Sequence, residues 1–441
     1  MKMKGKIIHL NPSQLLVFTF MFSILGGMFL LKLPFATNES ISWLDALFTA
    51  TSAMTVTGLA VVDTGDTFTI FGQLIIVLLI QLGGLGIMSF AILIFIVLGK
   101  KIGMKKRIII QHALNQTSLG GVIQLVKYLF IFSFLIELVG MVLLSFRWIP
   151  QFGVAKGLYY SFFHSISAFN NAGFSIWSDS MTQFVGDPVV NIVISFLFII
   201  GGLGFTVLAD IWQKRSFKRL SLHTRLMIIG TFILNIGAMF FFFIVEYANP
   251  KTLGLLSFED KLWASYFQAV TTRTAGFNSL DIASMDESTI FLMIILMFIG
   301  AGSASTGGGI KLTTAIVITF SIVAFLKSRT DISIGKRSIS VEIIVRALAI
   351  TMMSIILIIF AVFILNVTEQ QTFLETLFEA VSAFGTVGLS MGVTGSLTSL
   401  GKVIIILLMF VGKVGPLTLL FTLSKPQQPK VRYPNEDVLT G

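Results

Sequence analysis

The sequence predicts an all-α integral membrane protein built from four tandem span–re-entrant loop–span repeats, with eight transmembrane helices around one central axis. Three observations predict it. The 441 residues are 55% hydrophobic and only 12% charged, eight apolar runs are long enough to cross a bilayer, and four shorter apolar segments align in register and end in glycine. A soluble globular chain carries about 25% charged residues, so this composition excludes an ordinary soluble enzyme and leaves a surface that faces lipid. The absence of cysteine excludes disulfides, thiolate metal sites, iron–sulfur clusters and cysteine nucleophiles. His9, His112, His164 and His223 lie far apart and show no His-x-x-x-His spacing, so no zinc or di-iron motif is expected.

A helix of about 20 apolar residues spans the hydrocarbon core. The first such run, 13–33, follows Lys2, Lys4 and Lys6 and ends in Leu31-Lys32-Leu33-Pro34 with no small-x-small site, so it reads as a mature span and not as a cleaved leader. The remaining runs cover 72–98, 122–146, 189–212, 225–245, 289–326, 346–367 and 402–423. The sixth is interrupted between Gly300 and Gly309. The repeats therefore occupy 13–99, 122–215, 221–327 and 341–424, between an N-terminal segment 1–12 and a tail 425–441 whose Pro426, Pro429 and Pro434 suit an extended or docked strand of chain.

The net charge of +10 would suit a nucleic acid only as a basic stripe on a soluble fold, and none is expected here. If both termini and every second loop share one side, that side collects Lys2 to Lys6 and the clusters at 100–107, 214–225, 327–346 and 425–432, a clear majority of the Lys and Arg. The opposite loops carry acidic residues such as Asp63, Asp179, Asp281 and Glu369. Excess Lys and Arg mark cytoplasmic loops, which places both termini inside a multi-pass cell-membrane protein.

Between each odd and even span lies a segment too short to cross. Without gaps these read LDALFTATSAMTVTGL at 44–59, YYSFFHSISAFNNAGF at 159–174, LWASYFQAVTTRTAGF at 262–277 and LETLFEAVSAFGTVGL at 374–389. Gly58, Gly173, Gly276 and Gly388 recur at intervals of 115, 103 and 112 residues. A second mark follows each by 24 to 28 residues, at Gly83-Gly84, Gly201-Gly202, Gly300 and Gly412, and the stretches Gly83-Gly84-Leu85-Gly86 and Gly201-Gly202-Leu203-Gly204 read as packing and bending sites lining the central cavity. Two independent marks repeated four times identify tandem units.

Irregular backbone at membrane depth is tolerated only where protein buries it or a watery path runs beside it. A short helix descending from outside directs its partially negative C-terminus toward the membrane centre, which favours a cation there. The extended residues that follow offer carbonyl ligands, and a closing glycine accepts the positive φ that turns successive carbonyls to one side. The candidate ligands are the backbones of Thr55-Val56-Thr57-Gly58, Asn170-Asn171-Ala172-Gly173, Arg273-Thr274-Ala275-Gly276 and Gly385-Thr386-Val387-Gly388. Packing glycine, common in membrane helices, is the plainer alternative.

A short helix followed by Thr-Val-Thr-Gly or Gly-Thr-Val-Gly resembles a degenerate potassium-channel filter. Four copies in one chain resemble the Trk/Ktr/HKT superfamily of potassium transporters, and the lack of extra N-terminal spans resembles the Ktr-type membrane subunit over almost the whole chain. The resemblance implies a potassium-channel-like central pore, potassium uptake rather than enzymatic activity, and potassium preference where the first repeat carries glycine, here Gly58. It implies stimulation by sodium, a homodimer with one pore per subunit, no covalent cofactor, and a separate cytosolic nucleotide-binding ring that controls the gate.

In that resemblance the stretch Gly300-Ala301-Gly302-Ser303-Ala304-Ser305-Thr306-Gly307-Gly308-Gly309 is the gate, a loop below the filter. Close helix packing by small residues remains the alternative. Lys311 follows Ile310, so the Gly-Lys-Ser/Thr ending of a phosphate loop is missing. Lys413, an intramembrane cation, stands where the family carries an arginine that opposes ion passage. It keeps the charge and loses the planar fork. Arg273 is expected to point off the axis and pair with a carboxylate or carbonyl. Lys127 suits snorkelling, Glu137 sits deeper and suits pairing with another span or a partner subunit that the sequence does not identify, and Asp210 beside Lys214 and Arg215 suits an interfacial ion pair. An inverted-repeat transporter and a lipid-modifying membrane enzyme are the competing classes. Units running in one direction argue against the first, and the lack of clustered acid, base and nucleophile against the second.

Overall fold

The computed structural model describes residues 12–86, 89, 122–329, 332–334, 337–423 and 436. The expected N-terminal segment before residue 12, most of 87–121 with its basic cluster, and nearly all of the tail lie outside the described residues. The structure is mostly helical. The first unit holds α1 (Pro12–Leu31), α2 (Trp43–Thr55) and α3 (Ile70–Leu85). The second holds α4 (Val122–Phe152), α5 (Val154–Phe169), α6 (Pro188–Leu203) and α7 (Phe205–Lys214). The third holds α8 (Leu222–Glu246), α9 (Phe258–Thr271), α10 (Glu287–Phe298) and α11 (Leu312–Leu326). The fourth holds α12 (Val341–Thr368), α13 (Phe373–Gly385), α14 (Ser399–Val414) and α15 (Pro416–Leu423). A two-residue antiparallel pairing of Ser333–Ile334 with Arg337–Ser338 joins the last two units.

Among the described residues, four helices are long and apolar enough to cross a membrane, within α1, α4, α8 and α12, and the pair α6 and α7 makes a fifth if its 92° bend is read as one broken span. These are the leading helices of the units, and they present large apolar side chains outward: Phe232, Phe240 and Ile244 of α8 and Ile356, Phe360 and Phe363 of α12 are each more than half exposed. An apolar surface of that extent belongs against lipid.

Two trailing helices end inside the glycine stretches 83–86 and 201–204 that the sequence marks as bending sites, and the fourth ends just before Pro416. α6 ends at Gly204 (φ 100°) and α14 at Gly415 (φ 89°), each three residues beyond the second glycine mark, and α3 ends at Gly86 (φ 81°) in the same register. A left-handed residue ends a helix because the i to i−4 ladder cannot continue through it, and glycine occupies it without strain.

The short helices α2, α5, α9 and α13 form the core. Three open on a hydroxyl cap, Ser42, Ser257 and Thr372 accepting from the backbone of Asp45, Asp260 and Glu375, the last as a full capping box. Their C-terminal halves are buried, including polar Thr51, Ser52, Thr55, Ser165, Ser167, Gln268 and Ser382. Each packs against the leading helix of its own unit and against the trailing helix of the preceding one: α2 on α14, α5 on α3, α9 on α6 and α13 on α10. The fourth unit thus meets the first, and the four close a ring.

Candidate functional site

The four glycine-ended tetrads meet at the centre of that ring. A Cβ built on Gly58 would collide with the carbonyl oxygen of Ala172, one on Gly173 would crowd the Gly276 backbone, one on Gly276 would collide with the carbonyl of Val387, and one on Gly388 with that of Thr57. The order 58, 173, 276, 388 and back to 58 is cyclic. Substitution at any member pushes into its neighbour.

Backbone conformation repeats as well. The second and fourth positions of every tetrad have positive φ: Val56 at 58° and Gly58 at 95°, Asn171 at 57° and Gly173 at 66°, Thr274 at 63° and Gly276 at 79°, Thr386 at 49° and Gly388 at 94°. Left-handed conformations cost non-glycine residues energy, most of all β-branched Val56, Thr274 and Thr386. Alternating hands along a chain turn successive carbonyls to the same side. The N–H groups turn back: Thr57, Ala172 and Val387 donate to the carbonyls of Ser52, Ser167 and Ser382 at 2.8, 2.8 and 2.9 Å, whereas Ala275 donates to Thr271 at 3.1 Å. These third-position N–H groups are thus engaged by the short helix.

Four hydroxyls that sequence reasoning missed hold these turns. Ser52 and Ser382 accept from the N–H of Gly58 and Gly388, both at 3.1 Å. Ser167 and Thr271 instead donate to the carbonyls of Phe174 and Phe277 at 2.7 and 2.6 Å. The signal was present, since Ser52, Ser167 and Ser382 each lie six residues before their glycine. The second glycine marks have a local cause too: a Cβ on Gly83, Gly201 or Gly412 would collide with the carbonyl of Met54, Phe169 or Phe384, the residue four before each ring glycine. Gly300 does not share that role, because its Cβ would meet the carbonyl of Gly308.

Above the ring lies an open cavity of about 550 Å³, with the four glycines in its lining and Asp63, Asp179 and Asp281 around it. Below the ring runs the glycine-rich loop. Thr306 Oγ1 donates to Asn171 Oδ1 at 2.7 Å, Gly308 N donates to Thr386 Oγ1 at 2.8 Å, and Gly307 abuts Thr274. Gly302 N and Gly309 N donate to the carbonyls of Gly202 and Gly412 at 2.8 and 3.3 Å, and Ala304 accepts from Phe205 N at 2.9 Å. Ser303 meets Thr313 at 3.2 Å and Ser305 donates to the carbonyl of Gly302 at 2.6 Å, while Gly300 packs under Gly308.

The loop is tied to the second, third and fourth units, and a cavity of about 280 Å³ separates it from Gly83–Gly86 of the first. Two lysines hold it. Lys413 Nζ donates to the carbonyl of Thr306, and Lys311 Nζ donates to the adjoining carbonyl of Gly307 at 2.7 Å. Lys413 was singled out by the sequence. Lys311 was considered there only as the wrong ending for a phosphate loop, although a cation closing a glycine-rich break inside an apolar run was its signal.

Arg273 corrects one expectation. Its side chain is buried beside Phe198, Ile199, Thr231 and Asn235, between α6, α8 and α9. Its Nε has no hydrogen-bond partner, and among the described residues it makes no ion pair. The third tetrad therefore contributes backbone while its guanidinium is packed elsewhere. Lys127 is exposed. Asp210 pairs with Lys214 at 2.7 Å, as the sequence led one to expect, and accepts from Ser221 and Thr224.

Residues 10–433 match the family described as TrkH, cation transport protein. The chain is 57% identical to Ktr system potassium uptake protein B of Bacillus subtilis (strain 168), covering 99% of this chain and 98% of that protein. It is 40% identical to the potassium/sodium uptake protein NtpJ of Enterococcus hirae over 98% of both. Its fold matches the crystal structure of the potassium transporter TrkH from Vibrio parahaemolyticus with a TM-score of 0.75 at 21% identity, over 96% of this chain and 87% of that one.

Proposed function

The chain belongs to the TrkH family of cation transport proteins, and we propose on that premise that it carries potassium into the cell through a pore enclosed by its own four units, eight spans in all with both termini cytoplasmic. The cyclic approach of Gly58, Gly173, Gly276 and Gly388, with positive φ at alternate positions of all four tetrads, carries the reading. Carbonyls aimed at an axis replace the hydration shell of a cation, and more than one successive position lets it bind well enough to enter and weakly enough to leave. The bound species is the transported ion. The relatives named as potassium uptake proteins support potassium, and NtpJ's name supports a response to sodium.

Transport then follows the membrane potential, at about 2.3 kcal/mol per charge per 100 mV. Asp63, Asp179 and Asp281 around the outer cavity raise the local cation concentration. The loop 300–309 closes the path below the ring. Lys311 and Lys413 both neutralise its carbonyls and set two positive charges in the way of a cation leaving the ring. Opening requires the loop to leave Asn171, Thr386 and Gly412 together, a concerted change suited to regulation. A membrane subunit of a Ktr-type system has a partner in that system. We assign the control of the loop to a cytosolic nucleotide-binding ring acting on a homodimer.

Uptake of potassium or rubidium into proteoliposomes under a clamped inside-negative potential tests the reading. Selective uptake is expected from the parent, no selective uptake from Gly58→Asp, and faster uptake after deletion of 302–308. Absence of cation flux through folded parent protein, with the cytosolic partner present, would overturn it.

A further inference from the structure

Glu137 lies midway along α4 and is 5% exposed. Its carboxylate faces two amides from two other helices. Gln81 Nε2 of α3 donates to both carboxylate oxygens at 3.0 Å, and Asn170 Nδ2 donates to Oε1 at 3.1 Å and to Gln81 Oε1 at 2.7 Å. Both partners are themselves buried, and Ser165 Oγ of α5 donates to the Glu137 carbonyl at 2.5 Å. The hydrogen bonds run one way, from Asn170 through Gln81 to the carboxylate, and every partner that reaches the carboxylate is a donor. The ion pairs among the described residues are Arg147–Asp187, Lys214–Asp210 and Lys402–Asp45, so Glu137 belongs to none of them.

An ionised carboxylate in apolar surroundings without a counter-charge is costly, and hydrogen bonds to neutral amides offset only part of that cost. The counter-charge has one evident place. Asn170 is the first residue of its tetrad, with its side chain against Gly84, whereas Gly173, the last, lines the outer cavity and Asn170 does not. A cation held by the carbonyls at that level lies one side chain away from Glu137.

We propose that Glu137 is a positioning residue of the pore: through Asn170 it aligns the ring level at that residue, and its charge raises the affinity of that level for a monovalent cation. The inference rests on the pore reading above. Coupling between charge and ion is reciprocal, so a bound potassium ion also stabilises the buried carboxylate.

The test is the concentration dependence of potassium uptake into proteoliposomes at fixed potential for parent, Glu137→Gln and Glu137→Asp. Gln keeps the size and loses the charge; its apparent KM is expected to rise about tenfold, with maximal rate within about twofold of the parent. Asp keeps the charge with a shorter reach, and its KM is expected to stay within about threefold. An unchanged KM in Glu137→Gln overturns the inference, and so does an Asp variant impaired as much as Gln, the result of a purely structural brace. If the Gln variant fails to fold, the Asp variant decides alone: a KM within about threefold of the parent supports the proposal and a rise of about tenfold contradicts it. Loss of selective uptake in the parent would instead overturn the pore reading itself.

Discussion

The first, second and fourth units build their share of the ring in one way, and the third builds it in another. In the first group a serine sits six residues before the ring glycine, the tetrad's third N–H reaches back five residues to that serine's carbonyl, and a glycine of the trailing helix presses on the end of the short helix. In the third unit Val270 takes the serine position, Thr271 supplies the hydroxyl, the N–H of Ala275 reaches back only four residues, and the trailing helix breaks into the loop 300–309. In the proposed pore the ligands are backbone carbonyls, which would tolerate this difference in side chains. The proposed gate would likewise need one trailing helix that is not committed to packing against the ring.

The largest way to break the comparison is at the second glycine marks. Gly201→Val drives a side chain into the Phe169 carbonyl. It should cost about 3 kcal/mol or more by overpacking, seen as a lower unfolding temperature with loss of uptake. Gly300→Ala should instead crowd the Gly308 carbonyl, loosen the closed loop and raise uptake while the protein stays folded. Next come the two lysines. Lys413→Gln and Lys311→Gln remove the charges on the Thr306 and Gly307 carbonyls. Each should raise flux at fixed potential by several-fold, about the effect of losing one charge-assisted hydrogen bond.

Ser52→Ala and Ser382→Ala each leave a ring N–H unpaired. Each should reduce potassium over sodium selectivity by about fivefold, matching a hydrogen bond of about 1 kcal/mol. Val270→Ala, at the same register in the third unit, should leave selectivity unchanged.

The smallest effect lies outside the ring. Asp45 at the start of α2 and Lys402 at the start of α14 join the first unit to the fourth at 2.7 Å. Burial acts to raise the Asp45 carboxyl, but hydrogen bonds from Lys402 and Ser42 and the Lys402 charge hold it below its ordinary value. A depressed carboxylate contributes stability above its unfolded pKa and loses it as pH falls through the folded one. The contribution of this partly exposed pair should therefore be constant near neutrality and fade below about pH 4. Asp45→Asn should cost less than about 1 kcal/mol at pH 7, read by thermal unfolding.

Much of this was legible in the sequence because period and glycine register are properties of the chain itself. The tetrads follow from four aligned segments, the loop from a glycine-dense break in one apolar run, and Lys413 from a charge inside another. What the sequence does not carry is adjacency across units. It points to a partner for Glu137 on another span or subunit without naming one, because Gln81 and Asn170 reach it from other helices, each apart by more than thirty positions. It points to a carboxylate or carbonyl partner for Arg273, whereas the side chain packs among Phe198, Ile199, Thr231 and Asn235 where helices of two units meet. It marks the bends at 83–86 and 201–204 by their glycines, while the end of α14 needs only a single left-handed glycine, Gly415, before Pro416.

If the four tetrads bind a monovalent cation on their common axis, crystals grown with rubidium in place of potassium and measured at the rubidium absorption edge will show it. An anomalous peak is expected on the axis between the carbonyls of Thr57, Ala172, Ala275 and Val387. Well-ordered tetrads with no peak on that axis, or rubidium bound elsewhere in the membrane region, would contradict that binding.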